Sequence, residues 1–464
     1  MRQTAPAPQF DPQLIARYDV PGPRYTSYPT APQFHAGFDE AALRRAVRAS
    51  NEQGGPLSIY VHVPFCFSPC FYCGCNRVIT RDVGKASQYL DYLEKELALL
   101  GPGFDRGRRV QQLHLGGGTP NFLGIEHMQR LFGALSKHFD MTRSPDREWG
   151  IEIDPRDVDA SYIRDLGELG FNRVSVGIQD FDSAVQKAVN RVQSVEQTAE
   201  VLSAARQSGF TSASVDLIYG LPRQTIDGFD RTLDDVLGLA PDRVAIYGYA
   251  HLPHLFKAQQ QINDGDLPDA ATRLALLGRA WEKLGAAGYA YVGMDHFARE
   301  DDELVRAQKQ GTLQRNFQGY STNGDCDIVG LGVSAIGRIA NTYSQNARDV
   351  VGYYASLDAG RLPLMKGIEL SADDVVRREL IGELMCHGIL HTQPFGARHG
   401  LVFEEYFADD LLRLGSLIED GLVTMHNGAI QVTPHGRPML RNIAMCFDAY
   451  LGKSTGTPRY SRTL

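Results

Sequence analysis

The sequence predicts an α/β protein: an open partial (β/α)6 barrel with an N-terminal arm and a mostly helical C-terminal domain. Three observations lead there. From residue 58 onward, short β-branched or aliphatic runs alternate with amphipathic stretches, as parallel strands joined by crossover helices do. The units number six, too few for the closed eight-fold barrel. The chain has 464 residues, 43% hydrophobic and 22% charged, which suits a globular protein of more than one domain.

Residues 1–57 form the arm. Its segment PGPRYTSYPTAPQF (21–34) reads as extended, because proline removes a backbone donor and disfavours helix and inner strand. Only ALRRAVRAS near its end reads as helical. Residues 58–345 hold the barrel and a glycine-rich extension. The strands are SIYVHVPF (58–65), VQQLHLGGG (110–118), WGIEID (149–154), RVSVGIQ (173–179), SASVDLIYG (212–220) and RVAIYGYAH (243–251). ASQYLDYLEKELALL (86–100) and EQTAEVLSAARQSG (196–209) are the clearest helices between them, the second ending on glycine. Alternation lapses after YAYVGMDHFAR (289–299). Residues 346–464 turn helical, in SADDVVRRELIGELMCHGIL and FEEYFADDLLRLGSLIEDG, with a strand pair in LVTMHNGAIQVT and a last helix. Sheets of this kind bind ligands at the carboxyl ends of their strands, so motifs at those ends are the functional candidates.

Charge and cysteine usage narrow the class. Lysine and arginine number 47 against 55 acidic residues, a net charge of −8, which speaks against a nucleic-acid partner. No apolar run reaches the roughly 18 residues of a membrane span. The N-terminus lacks the basic and apolar regions of a signal peptide, and the expected location is the cytoplasm. Seven cysteines fit a disulfide framework poorly. Cys326, Cys386 and Cys446 read as small buried hydrophobes. The other four crowd into CFSPCFYCGC as Cys66, Cys70, Cys73 and Cys75, which points to metal or redox chemistry.

Thiolates spaced C-x3-C-x2-C can hold three corners of a cubic iron–sulfur cluster and leave one iron open to a small chelating molecule. Zinc, with Cys75 as fourth ligand, is the alternative, but paired C-x2-C knuckles are absent. Gly116, Gly117, Gly118, Thr119 and Pro120 follow the second strand, where glycines let the backbone approach a ligand closely. They do not make a dinucleotide fingerprint. VGLGVSAIG (329–337) opens no βαβ unit, so a nucleotide-phosphate role for it is weak.

C-x3-C-x-aromatic-C after a first barrel strand resembles the radical S-adenosylmethionine superfamily. The C-G-C ending, with PRYTSYPTA, GGGTP, GMDHFAR, NFQGY and MCFDAYL, resembles its oxygen-independent coproporphyrinogen III oxidase family nearly end to end. By that resemblance, Cys66, Cys70 and Cys73 hold a [4Fe–4S] cluster whose open iron chelates S-adenosylmethionine. Tyr72 lies against its adenine and Tyr60 near its sulfonium. Gly117, Gly118 and Thr119 form the methionine-binding turn. Glu152, Gln179, Arg191 and Asp216, in IEIDP, GIQD, VNR and SVDLIYG, serve the ribose, carboxylate and sulfonium, and Ala250 makes a backbone contact to adenine. Gln318 and Ile336 mark the region of a second S-adenosylmethionine.

Cys75 would block the open iron if it bound there, so the expected role is to donate or relay a hydrogen near the radical, or to help position ligands, with a thiol that only shapes the loop as the alternative. The implied reaction oxidatively decarboxylates two propionates of coproporphyrinogen III to the vinyls of protoporphyrinogen IX. The implied partners are this tetracarboxylate, positioned by arginines such as Arg24, Arg77 or Arg81, and a low-potential donor such as a flavodoxin or ferredoxin. The chain is expected to act as a monomer. A related haem-binding carrier is the alternative, although that relative typically lacks the C-G-C ending and the PRYTSYP arm. A tRNA- or protein-modifying radical enzyme is more distant.

Overall fold

The computed structural model describes residues 9–324, 326–451, 460, 462 and 463. The chain forms two compact units. One comprises Phe34–Leu276 and Asp325–Glu369, the other Met1–Gln33, Leu277–Gly324 and Leu370–Leu464.

The first unit is the barrel. Its six expected strands are β1 (Leu57–Val63), β2 (Val110–Gly117), β3 (Glu148–Ile153), β4 (Arg173–Gln179), β5 (Ser212–Tyr219) and β6 (Arg243–Gly248). They pair in parallel and in sequence order. Helices α1 (Gly84–Leu100), α2 (Ile125–Ser136), α3 (Ala160–Leu169), α4 (Val195–Gln207) and α5 (Ile226–Leu239) lie between successive strands. Four later strands continue past β1: β7 (Asp327–Leu331), parallel to it, then β8 (Ile336–Ile339), β9 (Thr342–Asn346) and β10 (Leu364–Glu369), each antiparallel to the one before. Thus β1, which carries the cysteine loop at its end, is an interior strand, and its backbone is fixed from both sides.

Side-chain alternation divides the sheet faces. On β4, Val174, Val176 and Ile178 are buried, while Arg173, Ser175, Gly177 and Gln179 keep some exposure. On β5, Val215 and Leu217 are buried, while Ser214, Asp216 and Ile218 are partly open. The aliphatic positions supply the packed face. The polar ones line an open interior, which is where a ligand can be met.

The second unit gathers distant segments. Antiparallel strands Tyr289–Gly293 and His296–Arg299, helix Ala372–His387, and a three-stranded sheet of Ile389–His391, Ala429–Val432 and Val423–His426 belong to it. Phe395, Phe403, Phe407 and Phe447 are fully buried and pack against one another. The proline-rich arm finds its partners here: Arg441 donates to the carbonyls of Gly22, Pro23 and Thr463. Arg24 pairs with Asp295 at 2.6 Å. Cys386 and Cys446 are buried in this unit and Cys326 in the other. Among the described residues, no helix is long and apolar enough to cross a membrane.

Candidate active site

The loop after β1 returns on itself. Phe65–Cys66 pairs in parallel with Val78–Ile79, so Cys66 sits in register with Ile79. Three consecutive residues after β4 clamp the turn between. Val189 accepts at its carbonyl from Phe71 N–H at 2.9 Å, Asn190 Nδ2 donates to the Pro69 carbonyl at 2.7 Å, and Arg191 Nη1 lies 3.5 Å from Cys70 Sγ. From within the loop, Arg77 donates to the carbonyls of Cys70 and Cys73 at 3.1 and 3.2 Å.

Each of the three cysteine sulfurs receives a donor. Thr119 Oγ1 donates to Cys66 Sγ at 3.2 Å, and the Cys75 N–H to Cys73 Sγ at 3.4 Å. Cys70 takes Arg191, and Arg156 Nη2 at 3.8 Å. Burial pushes the Cys66 thiol up to about 11. The Cys75 side chain, hydrogen-bonded to Cys73, pulls the Cys73 thiol below its usual range. Cys75 itself lies on the exposed side of the loop.

Behind the loop, polar groups from β1 to β5 face the barrel interior. Tyr60 stacks on His114, with ring centroids 6.0 Å apart, and its hydroxyl is 3.1 Å from His62 Nδ1. His114 Nε2 lies 3.2 Å from Glu152 Oε1, and the Gly117 N–H donates to Glu152 Oε2 at 3.3 Å. Glu152 keeps 45% of its side-chain exposure. Burial alone would raise its pKa, but the hydrogen bond and charge of His114 and the Gly117 N–H hold it below the usual carboxylate range. Asp216, 3.0 Å from Ser175 Oγ, goes the other way: burial and the Glu152 charge push it up to about 7. Neighbouring carboxylates thus differ in ionisation near neutrality.

Backbone geometry explains two glycines. The segment after β2 pairs with the chain entering the cysteine loop: Gly118 N–H donates to the Val63 carbonyl and Thr119 N–H to that of Phe65, both at 2.8 Å. A Cβ on Gly118 would lie 2.8 Å from the Pro64 carbonyl carbon. Gly117 has φ +115°, and a Cβ there would meet the His62 ring at 2.6 Å. Gln179 also stands in the left-handed region, at φ +70°, with the Asp180 N–H returning to the Ile178 carbonyl at 2.9 Å. That is a three-residue γ-turn, a strained form that turns the end of β4.

The sequence matches the Radical SAM superfamily over residues 60–236 and the HemN C-terminal domain over residues 370–439. It is 48% identical to an oxygen-independent coproporphyrinogen III oxidase of Pseudomonas aeruginosa over 456 residues, 98% of this chain and 99% of that one. To the enzyme of that name from Escherichia coli it is 46% identical over 455 residues, 98% of each. The solved structure of coproporphyrinogen III oxidase (HemN) from Escherichia coli, described as a radical SAM enzyme, superposes with a TM-score of 0.91 at 46% identity, covering 96% of this chain and all of the other.

The chain belongs to the oxygen-independent coproporphyrinogen III oxidase family.

It is a radical SAM oxidoreductase, and that superfamily implies a [4Fe–4S] cluster and S-adenosylmethionine. The thiol set of this family member fits the cluster: three cysteines share one rigid turn, and each sulfur has a hydrogen-bond donor to temper thiolate charge. Among the described residues, no three His, Cys, Asp or Glu side chains converge as on a single metal ion. Cluster thiolates bind different irons and need not converge.

Of the residues expected at the coproporphyrinogen oxidase site, the structure sets Tyr60, Gly117 and Glu152 in one network at the end of β1 to β3, with Asp216 beside it. Arg191 and Thr119 touch the cysteine sulfurs directly. Tyr72 and Ala250 are joined through Gln259, whose Nε2 donates to the carbonyls of both, at 2.8 and 3.1 Å. Gln318 belongs to the other unit, where its N–H donates to Asn316 Oδ1, whereas Ile336 begins β8. Sequence reasoning missed His114, Asp154, Asn121 and Gln259. Asp154 accepts from Arg156 and Arg191 and exchanges backbone bonds with the Asn121 amide. The available signal was an acid ending the predicted third strand, WGIEID, at the carboxyl end where ligands are met.

Proposed function

We propose that this enzyme converts coproporphyrinogen III to protoporphyrinogen IX without oxygen. Each of two propionates would lose one hydrogen atom, one electron and carbon dioxide to become a vinyl group. The observation that carries the reading is the three-cysteine turn clamped by Arg191 and Thr119 beside an open, carboxylate-lined barrel end, in a chain 48% identical to a named oxidase over 98% of its length.

Cys66, Cys70 and Cys73 would hold the cluster, which when bound supplies the electron that cleaves S-adenosylmethionine into methionine and a 5′-deoxyadenosyl radical. The remaining work belongs to side chains of the barrel. Glu152, ionised at neutral pH, presents an acceptor to ammonium or ribose hydroxyl groups. Asp216, protonated in part, can donate as well as accept. Gly117, Gly118 and Thr119 bring backbone to the methionine end, and Gln179 and Arg191 offer donors to a carboxylate. Tyr60, Tyr72 and the Ala250 backbone would enclose the sulfonium and adenine. Cys75, two residues beyond the last proposed ligand, would donate or relay a hydrogen.

A substrate oxidised twice suits two bound molecules of S-adenosylmethionine. The electron would come from a low-potential flavodoxin or ferredoxin, the chain would act as a monomer, and a thiol-held cluster fits the reducing cytoplasm. The test is an anaerobic assay with reconstituted cluster, S-adenosylmethionine, dithionite and coproporphyrinogen III. Protoporphyrinogen and deoxyadenosine are expected to accumulate together. Cofactor cleavage without any porphyrin product would refute the substrate.

A further inference from the structure

The strand Val78–Ile79 closes the cysteine loop and turns its other side to solvent. Thr80 N–H donates to the Cys66 carbonyl at 3.0 Å, so Ile79 stands one strand spacing, about 4.8 Å, from the backbone of a proposed cluster ligand. Ile79 is 42% exposed and Val83, at the start of α1, 58%. Around them are Arg81, exposed, and Lys85, partly so, and among the described residues neither makes an ion pair. The nearby acid, Asp82, accepts from the Gly84 N–H.

A second element reaches this side. Helix α6 (Val350–Asp358) lies along α1 and parallel to it, since Tyr354 stacks on Tyr92 at 3.7 Å and Asp358 pairs with Lys95 further on. Its first turn, with Val351 at 79% exposure, therefore falls beside the second turn of α1, one turn past Val83. Just before it, the Arg348 carbonyl accepts from Asn76 Nδ2 at 2.8 Å, which holds exposed Arg348 against the cysteine loop.

We infer that this patch, apolar at Ile79, Val83 and Val351 and basic at Arg81, Lys85 and Arg348, is where a small acidic one-electron carrier protein docks. The inference rests on the proposed function, which needs an electron at the cluster. Two observations favour this occupant. A chain of net charge −8 repels an acidic partner at long range, so productive encounter needs a local positive field, and the patch has three basic side chains against two capping aspartates, Asp82 and Asp349, a local excess of one positive charge. The patch also backs directly on Cys66, so a seated carrier is separated from the ligand by one hydrogen-bonded strand. In the step itself the carrier loses one electron and the cluster gains it, with no proton required.

The test uses anaerobic holoenzyme, with flavodoxin as the probe. Fluorescence anisotropy should show salt-sensitive binding of labelled oxidised flavodoxin, weakened about tenfold by Lys85→Glu/Arg348→Glu and less by Lys85→Gln/Arg348→Gln. Val83→Ser should weaken binding without changing the salt slope. With reduced flavodoxin, deoxyadenosine release should fall in step, while dithionite-driven release stays within twofold of the parent. Unchanged flavodoxin binding in the double charge reversal overturns the proposal. Concentration-dependent dimers of the parent that the same substitutions disperse would make the patch a face between two copies, overturning it too. Absence of dithionite-driven cleavage in the parent would instead defeat the functional reading beneath it.

Discussion

Arg191 donates through Nη1 to the sulfur of Cys70, 3.5 Å away. The same nitrogen reaches Asp154 Oδ2 at 3.0 Å, and Nη2 reaches the Gly177 carbonyl. One buried guanidinium therefore ties the cysteine loop to the ends of β3 and β4. Its work in the protein is already large before any ligand is considered, because it is one of the two guanidinium partners of buried Asp154, Arg156 being the other. Arg191→Ala should cost about 1–3 kcal/mol of stability, the range for buried groups that lose a hydrogen-bond partner, because Arg156 still holds Asp154. It should also lower iron content, measured alongside the thermal midpoint. A variant with normal iron and stability but weak S-adenosylmethionine binding would limit Arg191 to contacting the cofactor.

That pairing shows where sequence reasoning runs out. The strands were legible to within three residues, because aliphatic alternation is written locally: 173–179 was expected and Arg173–Gln179 is found. The cysteine spacing was legible for the same reason. The partnership of Arg191 with Asp154 spans 37 residues and depends on two adjacent strands ending at one height, which no local pattern encodes. Gln259 is further still, 187 residues from Tyr72. VGLGVSAIG is similar: its first residues form β7, which lies against β1, although 57 and 327 are remote in sequence. A Cβ on Gly332 would collide with the Tyr89 hydroxyl, so close packing gives this glycine a reason apart from any ligand.

The cysteines should separate by role. Anaerobically purified protein should hold about four iron and four sulfide per chain, and serine at Cys66, Cys70 or Cys73 should lower both and abolish cofactor cleavage. Cys75→Ser should keep the iron and lose porphyrinogen decarboxylation. Iron analysis, deoxyadenosine release and porphyrin product on one preparation decide it. Iron lost with Cys75 would make that thiol a ligand.

Glu152 and Gly118 should fail differently. Glu152 is half-exposed to the barrel interior, so Glu152→Ala should weaken S-adenosylmethionine binding at near-normal iron content. Gly118 abuts the backbone that leads into Cys66, and Gly118→Ala must push Pro64 and Phe65 aside. It should lower iron content as well as cofactor affinity. Equilibrium dialysis with labelled cofactor, beside iron analysis, makes the comparison. Normal iron and tight cofactor binding in both variants would place the pocket elsewhere.

The last expectation concerns Glu96, far from the thiols. It is buried on α1, where its carboxylate accepts from Asn346 Nδ2 at 2.6 Å, the Gly332 N–H at 2.8 Å and Tyr353 Oη at 2.6 Å. Burial outweighs these bonds and pushes it from 4.5 up to about 7. Between those values the folded protein keeps a proton that the unfolded chain has released, so stability must fall as pH rises. The contribution is full below about pH 4.5 and is lost on passing through about 7, an upper bound of about 3 kcal/mol. Glu96→Gln cannot ionise and should flatten that part of the profile, even if its amide faces donors and lowers stability at every pH. Thermal midpoints of parent and variant at pH 5, 6, 7 and 8 provide the comparison. Parallel profiles would mean that Glu96 stays ionised in the fold, held so by its three donors.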